Sequence, residues 1–422
     1  MLDINYIRDN KAKVEDAIRN KGEEDVSVVK NVLEVDESWR EKVQLVDGMR
    51  NESNVKAKEI GKLMGQGKKE EAQAIIQETS ALKEKVKEHE EALNKLKGER
   101  DDLLLKIPNV PHSSVPVGAT EDDNEVFKNW GNINKDEWRK PHWDIVERHG
   151  WVDFERGVKV SGAGFPFYVG AVAQLQRALI NYFINEAAQK GYTELQAPYL
   201  VNEDSARGTG QIPDKEDMMY VIPRDELFAI PTAEVPVTNF HRGEILAEAD
   251  IPKKYVCYTP CWRREAGSYG KDVRGLNRLH QFDKVELVKM VKPEHSYEEL
   301  ENLRKHAEGL LEALELPYRT LLMCTGDMGF TQSKKYDLEV WSPGQQRWLE
   351  VSSCSNFESF QARRMQLRYR NEEKKTEIVH TLNGSGLALP RVVSAILEAY
   401  QEEDGKVRVP DVLKGFIGRD YL

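Results

Sequence analysis

The sequence predicts an α+β protein, with a long N-terminal antiparallel coiled-coil hairpin followed by a domain built on an antiparallel β-sheet flanked by helices. Two observations lead to this prediction. Between residues 32 and 103, apolar residues recur every seven positions in two stretches that contain no proline. The second half of the chain shows strand-like alternation without a βαβ rhythm and without a GxGxxG or GxxxxGK[ST] loop, which disfavours a doubly wound nucleotide-binding fold.

The first hundred residues divide into a short amphipathic segment and two long helical stretches. Apolar residues from Ile4 to Ile18 have the spacing of one small helix, which Gly22 ends. The two long stretches are separated by Gly65-Gln66-Gly67, and at about 35 residues each they predict a hairpin that reaches roughly 50 Å. The seam positions are Val32, Val35, Trp39, Lys42, Val46, Met49, Ser53, Lys56, Ile60 and Leu63, and then Ile75, Thr79, Leu82, Val86, His89, Leu93, Leu96, Arg100 and Leu103.

The charge of this hairpin does not identify its partner. Residues 28–104 hold 15 Lys/Arg and 17 Asp/Glu, which is a mixed and solvated surface rather than a basic stripe. The seven-residue pattern alone is equally typical of a dimerising or spacing coiled coil. We interpret His89 and Arg100 as polar residues that set the register or end the seam, rather than as functional residues.

A proline-containing segment, IPNVP (107–111), ends the heptads and begins a polar linker. We therefore predict two domains, residues 1–107 and residues 108–422. The second domain is predicted to contain a helix near Val172 to Lys190, several strands, and helices near residues 297–315 and 391–404.

Composition excludes several classes of protein. No apolar run approaches the ~18 residues of a membrane span, and the N-terminus has no apolar signal core, so we expect a cytoplasmic protein. Four cysteines in 422 residues do not make a disulfide framework or a pair of Cys-x-x-Cys zinc motifs. The formal net charge of −11 argues against tight non-specific nucleic-acid binding, although it allows a local basic patch.

Residues 255–263 and 279–289 are predicted to form two strands joined by an arginine-rich loop. The strand period of two places Arg278, His280, Phe282, Lys284 and Glu286 on one face, opposite apolar residues. Arginine forks suit carboxylates and phosphates, and an aromatic ring suits a stacked heterocycle. A ligand with an aromatic ring, a phosphate and an ammonium group fits this face, but so does a solvent-exposed hairpin with ordinary cross-strand charge pairs.

Two further stretches suggest the same chemistry. In WLEVSSCSNF (348–357), Glu350 lies in an otherwise apolar strand, so we expect a metal ion, a cationic partner or a buried structural salt bridge to offset its charge. In LNGSGLALPR (382–391), Gly384 and Gly386 precede Arg391 at a predicted helix start. These glycines would permit close approach of a ligand, although a glycine-rich turn explains them equally well.

Together these segments resemble known signature motifs. GYTELQAP (191–198), the stretch RREAGSYGKDVRGLNRLHQFDKVE within 255–289, and LNGSGLALPR within 382–400 resemble motifs 1, 2 and 3 of class II aminoacyl-tRNA synthetases. With IPTAE (230–234) and EVSSCSNF (350–357), the chain is similar to bacterial-type seryl-tRNA synthetase over essentially its whole length. Two positions depart from the usual pattern, Trp262 in place of phenylalanine and Pro390 in place of glycine.

This resemblance implies an activity and its partners. Such an enzyme activates L-serine with ATP, as substrate, and Mg²⁺, and then transfers the seryl group to the 3′ end of tRNA(Ser), with tRNA(Sec) left open as a second substrate. It implies a homodimer formed through motif 1 and a coiled-coil arm that grips tRNA bound on the other subunit. The alternatives are a class II paralogue that loads an amino acid onto a carrier, and a non-catalytic coiled-coil interaction protein.

The resemblance also implies site residues. Arg263, Arg391 and Glu350 would be catalytic, and Glu350 with Ser353 would bind Mg²⁺. Lys271 and Arg274 would contact ATP or the end of the tRNA, without a firm role. For Thr232 a helix N-cap and for Ser385 a turn hydroxyl are alternative roles. The ATP-binding set is Arg263, Arg264, Glu265, Arg278, Leu279, Phe282, Glu350, Val351, Ser352, Ser353 and Arg391. The serine-binding set is Thr232, Ala233, Glu234, Arg263, Glu286, Asn383 and Ser385.

Overall fold

A computed structural model describes residues 1–265 and 274–422 of the chain. These residues form two compact units, one of residues 1–19 and 23–108 and the other of residues 20–22 and 109–422. The predicted α+β class is confirmed, since long helices dominate the first unit and a mainly antiparallel sheet the second. None of the helices in the described ranges combines the length and apolar character that crossing a membrane requires.

The first unit consists of helices α1 to α4. The predicted single small helix is wrong, because the structure has two helices that are separated at Asn10. The Asn10 side chain donates to the carbonyl of Tyr6 at 3.0 Å, and its backbone has left the helical conformation. An asparagine that binds a nearby carbonyl in this way competes with helix continuation. The bounds are α1 Ile4–Asp9, α2 Lys11–Asn20, α3 Ser27–Gly65 and α4 Lys69–Leu105.

Helices α3 and α4 pack along the predicted seam. Val32, Val46 and Thr79 are buried, and the other predicted seam positions are at least partly buried, while most positions between them are exposed. The break falls where the glycines predicted it, since α3 ends at Gly65 and Gly67 adopts a φ of +77°. A seven-residue repeat keeps one stripe of each helix turned toward its partner, which explains why the pattern predicted this element so closely.

The sequence did not predict the burial of one acidic residue of the hairpin, Asp36. Asp36 is 1% exposed and forms ion pairs with Arg8 at 3.3 Å, Arg40 at 3.0 Å and Arg100 at 3.3 Å. The Arg100 guanidinium also lies over the ring of Trp39, 4.4 Å from its centroid. Arg100 therefore ends the seam as a structural residue, in agreement with its interpretation above.

The second unit contains the remaining elements. Its helices are α5 His142–His149, α6 Phe154–Ser161, α7 Ala171–Gln189, α8 Glu203–Thr209, α9 Glu234–Thr238, α10 Ser296–Ala313, α11 Phe360–Met365, α12 Leu389–Ala399 and α13 Lys414–Ile417. Its strands are β1 Glu125–Trp130, β2 Val152–Asp153, β3 Phe167–Tyr168, β4 Thr193–Leu195, β5 Leu200–Asn202, β6 Tyr220–Ile222, β7 Leu227–Ala229, β8 Ile245–Ala247, β9 Lys253–Trp262, β10 Gln281–Val291, β11 Tyr318–Leu322, β12 Lys334–Ser342, β13 Arg347–Asn356, β14 Arg368–Arg370, β15 Thr376–Ile378 and β16 His380–Ala388.

Eight strands form the central sheet in the order β1-β11-β12-β13-β16-β10-β9-β4. All neighbouring pairs are antiparallel except β4 with β9. Helices α7, α10 and α12 contribute to the main apolar core with one face of the sheet, where Val285 and Leu287 are buried. The alternation of β10 sends Lys284 and Glu286 to the opposite face, as the sequence predicted.

Most predicted elements of this unit agree with the structure in their position. The strands predicted over 255–263 and 279–289 are β9 and β10, and the helices predicted near 172–190 and 297–315 are α7 and α10. The helix predicted over 391–404 is too long, because α12 ends at Ala399. The Arg139 guanidinium caps this end of the helix, since it donates to the carbonyls of Glu398 and Ala399 at 3.0 and 2.8 Å.

Candidate active site

A cavity of about 530 Å³ lies over the middle of the central sheet. Strands β10, β12, β13 and β16 and the first turn of α12 contribute to its wall, together with the segments around residues 211–218, 231–234, 263–265 and 276–279. Fifteen of the residues predicted from the sequence line it together: Thr232, Glu234, Arg263, Glu265, Arg278, Leu279, Phe282, Glu286, Glu350, Val351, Ser352, Ser353, Asn383, Ser385 and Arg391.

Two residues of the predicted sets lie outside this cavity wall. Ala233 is fully buried in a small apolar cluster with Cys257 and Val288, so its side chain fills the core instead. Arg264 uses its backbone N–H to bind the carbonyl of Met218 at 2.9 Å. Arg274 also does not line the cavity, and Lys271 lies outside the described residues.

One end of the cavity is acidic. Glu234 and Glu286 are 8% and 1% exposed, and the amide of Asn383 donates to both, at 2.9 Å to Glu234 Oε2 and 2.8 Å to Glu286 Oε1. Gln361 donates to the other oxygen of Glu234 at 2.7 Å. Two carboxylates are thus held side by side with their oxygens oriented, which suits a ligand that has a cationic group.

A buried lysine completes this acidic end. Lys284 Nζ lies 2.7 Å from Glu286 Oε2 and donates to Thr232 Oγ1 at 2.8 Å. Thr232 Oγ1 also accepts the backbone N–H of Glu234 at 3.2 Å, so the threonine both orders the start of α9 and faces the cavity. Ser385 Oγ lies 3.5 Å from Glu286 Oε2. Hydroxyl groups and carboxylates therefore converge on one small region.

Burial changes the protonation of this region. Desolvation, followed by repulsion from Glu286, raises the pKa of Glu234 from 4.5 to about 7. The folded protein therefore keeps this proton at pH values where the unfolded chain has released it. Because the folded state binds more protons between those two pKa values, the free energy of unfolding falls as the pH rises through this window.

The variant Glu234→Gln tests this pH dependence. It cannot ionise, so the loss of stability that the wild-type protein suffers between about pH 5 and pH 8, at most about 3 kcal/mol, is expected to be smaller in the variant. Thermal unfolding of both proteins across this range measures the difference. The control is Glu373→Gln, which changes an exposed residue. Parallel pH profiles for Glu234→Gln and the wild-type protein would contradict the prediction.

The other end of the cavity is rich in arginine. The Arg263 guanidinium lies over the ring of Phe282, 5.1 Å from its centroid, and its Nε donates to the carbonyl of Pro231 at 3.2 Å. Arg391 donates from Nε to the carbonyl of Asn277 at 2.9 Å and from Nη1 to the carbonyl of Glu350 at 2.7 Å. Backbone carbonyls hold both forks, so neither charge is neutralised by a carboxylate in these contacts.

Arg278 differs from these two arginines because its Nε binds Glu265. Glu265 has a φ of +47°, which an ordinary residue adopts only under local constraint. In this arrangement the pair closes one side of the cavity, since both residues line it. A ligand that bears phosphate groups would compete with Glu265 for Arg278.

Glu350 has cationic partners, which was one of the expectations from the sequence, but it is not buried among apolar residues. Strand β13 has a bulge, because Leu338 and Glu339 of β12 pair with Ser352 and Glu350 and leave Val351 as an extra residue between them. As a result, Glu350 is exposed in the cavity rather than buried in an apolar strand. Burial by surrounding protein would raise the pKa of Glu350, but Lys335, Arg391 and a hydrogen bond from Ser353 at 3.1 Å outweigh it and lower the pKa. Its cationic partners are thus protein side chains.

A second carboxylate lies beneath Glu350. Asp337 is 4% exposed and pairs with Lys335 Nζ at 2.8 Å. Desolvation, only partly offset by Lys335, raises the pKa of Asp337, whereas the two acids together hold the pKa of Lys335 above its usual value. Among the described residues, no group of three or more His, Cys, Asp or Glu side chains is arranged to hold a metal ion by itself.

The glycines of residues 382–391 do not have the role that the sequence suggested. A Cβ added at Gly384 would meet Leu303 of α10 at 2.9 Å, and one at Gly386 would meet Val285 of β10 at 3.2 Å. Gly384 is therefore small because the packing of Leu303 leaves no space for a side chain, whereas a Cβ at Gly386 would require Val285 to shift slightly. A bulge follows directly, with Leu387 at a φ of +76°, and β16 then leads into α12. Pro390 lies in the first turn of α12, a position that tolerates proline.

Sequence reasoning missed several residues that complete the site. Gln361 orients Glu234, and Thr381 orients Gln361 in turn by donating to its Oε1 at 2.7 Å. Lys284 was placed on the correct face but received no role, and Lys335 was not singled out. The alternation of β10 and β12 would have placed both lysines, but no local signal marks Gln361, which belongs to the short helix α11.

Comparisons with known proteins identify the families that the two parts of the chain match. Residues 1–111 match the model of the seryl-tRNA synthetase N-terminal domain, and residues 220–400 match the tRNA synthetase class II core domain (G, H, P, S and T). The serine–tRNA ligase of Salinibacter ruber is 56% identical over 420 residues, which cover 99% of this chain and 98% of that protein.

Two solved structures are similar over the full length. The crystal structure of seryl-tRNA synthetase from Pyrococcus horikoshii complexed with ATP has a TM-score of 0.93 at 38% identity and covers 100% of this chain and 99% of that one. The cytoplasmic serine–tRNA ligase from Naegleria fowleri in complex with AMP has a TM-score of 0.88 at 30% identity, with coverage of 100% and 98%. Both structures contain an adenine nucleotide.

Proposed function

The chain belongs to the seryl-tRNA synthetase family, as its motifs indicated, and we propose that it is a serine–tRNA ligase that activates L-serine with ATP and transfers the seryl group to tRNA(Ser). The observation that carries this proposal is the polarity of the cavity. Buried carboxylates and hydroxyls occupy one end, and two arginines without carboxylate partners in their hydrogen bonds occupy the other. An amino acid and a triphosphate need these two environments side by side.

The acidic end suits serine. Its ammonium group would bind Glu234 and Glu286, whose oxygens Asn383 already orients. The serine hydroxyl would bind among Thr232 and Ser385, which share this part of the cavity. Alanine would leave these buried polar groups unpaired, which a site of this kind penalises strongly. Because bulk adds little discrimination against alanine, hydrogen bonding is the main source of specificity toward it.

The arginine-rich end suits ATP. Adenine would stack on Phe282, with Glu265 near its amino group, and the triphosphate would lie among Arg263, Arg278 and Arg391. Val351, Ser352 and Leu279 line the same cavity and would complete the nucleotide site. Arg278 would leave Glu265 and bind a phosphate, since a charge-assisted fork to phosphate is at least as favourable.

The reaction needs no covalent intermediate on the protein. A carboxylate oxygen of serine would attack the α-phosphorus of ATP, a C–O–P bond would form and pyrophosphate would leave. Both reactants are anionic, so the forks of Arg263 and Arg391 would lower the barrier by binding the charge that accumulates on the α-phosphate. The terminal ribose hydroxyl of the tRNA would then attack the seryl carbonyl, and AMP would leave.

Mg²⁺ fits the residues on the phosphate side. The lowered pKa of Glu350 keeps this carboxylate ionised and its side chain faces the cavity, with Ser353 beside it. These two residues would hold the ion, and phosphate and water oxygens would supply its remaining ligands, which is the usual arrangement for magnesium. The ion would add positive charge at the phosphates.

The remaining partners follow from the same proposal. The α3–α4 arm would bind tRNA, and its exposed lysines, among them Lys58, Lys83 and Lys97, are suited to phosphate contacts. A homodimer through motif 1 would cover apolar side chains that are exposed in the single chain, including Val160, Phe167 and Leu200. We also propose a cytoplasmic location, where serine, ATP and tRNA are available together.

Pyrophosphate exchange tests this function. The purified protein is expected to exchange pyrophosphate into ATP with serine, and not measurably with alanine, and to charge tRNA(Ser) in total tRNA. The assay would run over all amino acids, with tRNA(Sec) as a separate acceptor. Exchange without charging would favour the carrier-loading alternative. A folded protein that exchanges with no amino acid would contradict an enzymatic function and favour an interaction protein.

A further inference from the structure

A buried histidine and glutamate lie behind the phosphate end of the cavity. His142, at the start of α5, is 0% exposed, and Glu398, in the last turn of α12, is also 0% exposed. His142 Nδ1 lies 2.9 Å from Glu398 Oε1, and the backbone N–H of His142 donates to the same oxygen at 2.9 Å. Neither residue lines the cavity itself.

The opposite nitrogen of His142 contacts residues 275–278, the segment that leads into the cavity. The backbone N–H of Leu276 donates to His142 Nε2 at 2.9 Å. A backbone N–H can only donate, so Nε2 must be unprotonated and the proton of the neutral ring must lie on Nδ1, toward Glu398. The contacts on both nitrogens therefore select a single tautomer of His142.

Glu398 is held as firmly as the histidine. Its carboxylate also accepts from Ser342 Oγ, from the backbone N–H of Gly344 at 3.1 Å and from Gln345 Nε2 at 3.0 Å. Burial alone would raise the pKa of Glu398, but the hydrogen bonds from His142 and from Ser342 outweigh it, and the pKa is lowered. A fixed carboxylate of this kind orients the imidazole that faces it.

Helix α12 also contacts this segment at a second point, through Arg391. Glu398 and Arg391 lie seven residues apart on α12, which is two turns and therefore the same helical face. Arg391 Nε donates to the carbonyl of Asn277 at 2.9 Å, next to the residue whose N–H binds His142. The N–H of Leu276 is therefore fixed through His142 and Glu398 near the end of α12, and the carbonyl of Asn277 is fixed by Arg391 near its start.

The segment has little room to move between these points. A Cβ at Gly275 would lie 2.3 Å from His142 Nε2, and Gly275 has a φ of +66°. The Asn277 side chain donates to Gln345 Oε1 at 2.9 Å, and Gln345 in turn binds Glu398. The following residue, Arg278, lines the cavity directly.

We propose that His142 and Glu398 are positioning residues that, through Leu276 and Asn277, fix the backbone from which Arg278 reaches the triphosphate. This inference rests on the proposed function, because it assigns the triphosphate to that end of the cavity. The pair does not touch the substrate. It sets the position of Arg278, and it orients the face of α12 from which Arg391 enters the site.

Two substitutions separate the contacts of His142. His142→Asn keeps an amide donor near the position of Nδ1, toward Glu398, but loses the acceptor for Leu276. His142→Gln places a carbonyl oxygen at the reach of Nε2 and keeps that acceptor. We expect the asparagine variant to raise the KM for ATP about tenfold and the glutamine variant to raise it about threefold or less. The KM for serine should change less than twofold in both.

Binding and stability controls complete the experiment. Titration of each variant with ATP alone measures affinity without the reaction, so the proposal stays testable even if the protein activates no amino acid. The matched control is His306→Asn, at another buried histidine, in α10, which does not line the cavity. It should alter thermal stability and leave ATP binding unchanged. Equal ATP affinities for the two His142 variants, or parallel increases in both KM values, would overturn the proposal.

Discussion

Replacing Arg391 or Arg263 with alanine is expected to reduce serine-dependent pyrophosphate exchange by about 10³-fold, which is about 4 kcal/mol in transition-state free energy. Backbone carbonyls orient both guanidinium groups before any ligand binds, Arg391 through Asn277 and Glu350 and Arg263 through Pro231. In the proposed mechanism their forks would therefore act on the phosphates without first being reorganised. Steady-state exchange, with the KM for ATP and kcat determined separately, measures the loss.

The conservative variant Arg391→Lys sharpens this experiment. An ammonium group cannot replace a fork that binds two carbonyls 2.9 and 2.7 Å away while it also faces the cavity, so lysine should restore only a small part of the activity. Arg370→Ala, at an exposed position of β14, is the matched control and should keep full exchange. Exchange within threefold of the wild-type rate in either alanine variant would remove that arginine from the mechanism.

Features that repeat within one element were predicted well. The heptads of α3 and α4 and the alternation of β10 are local periods, so the buried seam and the shared face of Lys284 and Glu286 followed from the sequence. Bulges depend on the partner strand and have no local period. The local periods therefore did not predict that β13 turns Glu350 into the cavity, which only the resemblance implied, or that β16 has a bulge before α12.

The candidate site shows the same division. Residues in the quoted motifs could be named, because the resemblance assigned them, and most of them line one cavity. The residues that orient them are ordinary side chains from distant elements, such as Gln361 behind Glu234 and His142 behind Leu276. Nothing in their own neighbourhood marks them, and only the fold brings them to the site. A glycine in a motif is equally ambiguous from the sequence, since the Leu303 side chain, and not a ligand, occupies the space that a Cβ at Gly384 would need.

Deleting the α3–α4 arm, residues 30–105, is expected to abolish tRNA charging while serine activation stays within about threefold of the wild-type rate. The residues that line the cavity all lie between positions 211 and 391, so the deletion removes none of them. Charging should fall by at least about 10²-fold, because the phosphate contacts proposed for the arm would be lost with it. Pyrophosphate exchange and aminoacylation of the same preparation measure the two steps.

A shortened arm distinguishes tRNA binding from the alternative roles of a coiled coil. Removing residues 50–84 and closing the helices with a glycine turn keeps the Asp36 cluster and the contact of Lys42 with His89. The base of the hairpin should then fold, so a loss of charging reports the removed surface rather than a collapsed unit. Sedimentation of the same variant shows whether self-association depends on the arm. Full charging by the shortened protein would mean that the distal arm is only a spacer, whereas loss of both charging and self-association would favour the dimerising coiled coil that the heptads also allow.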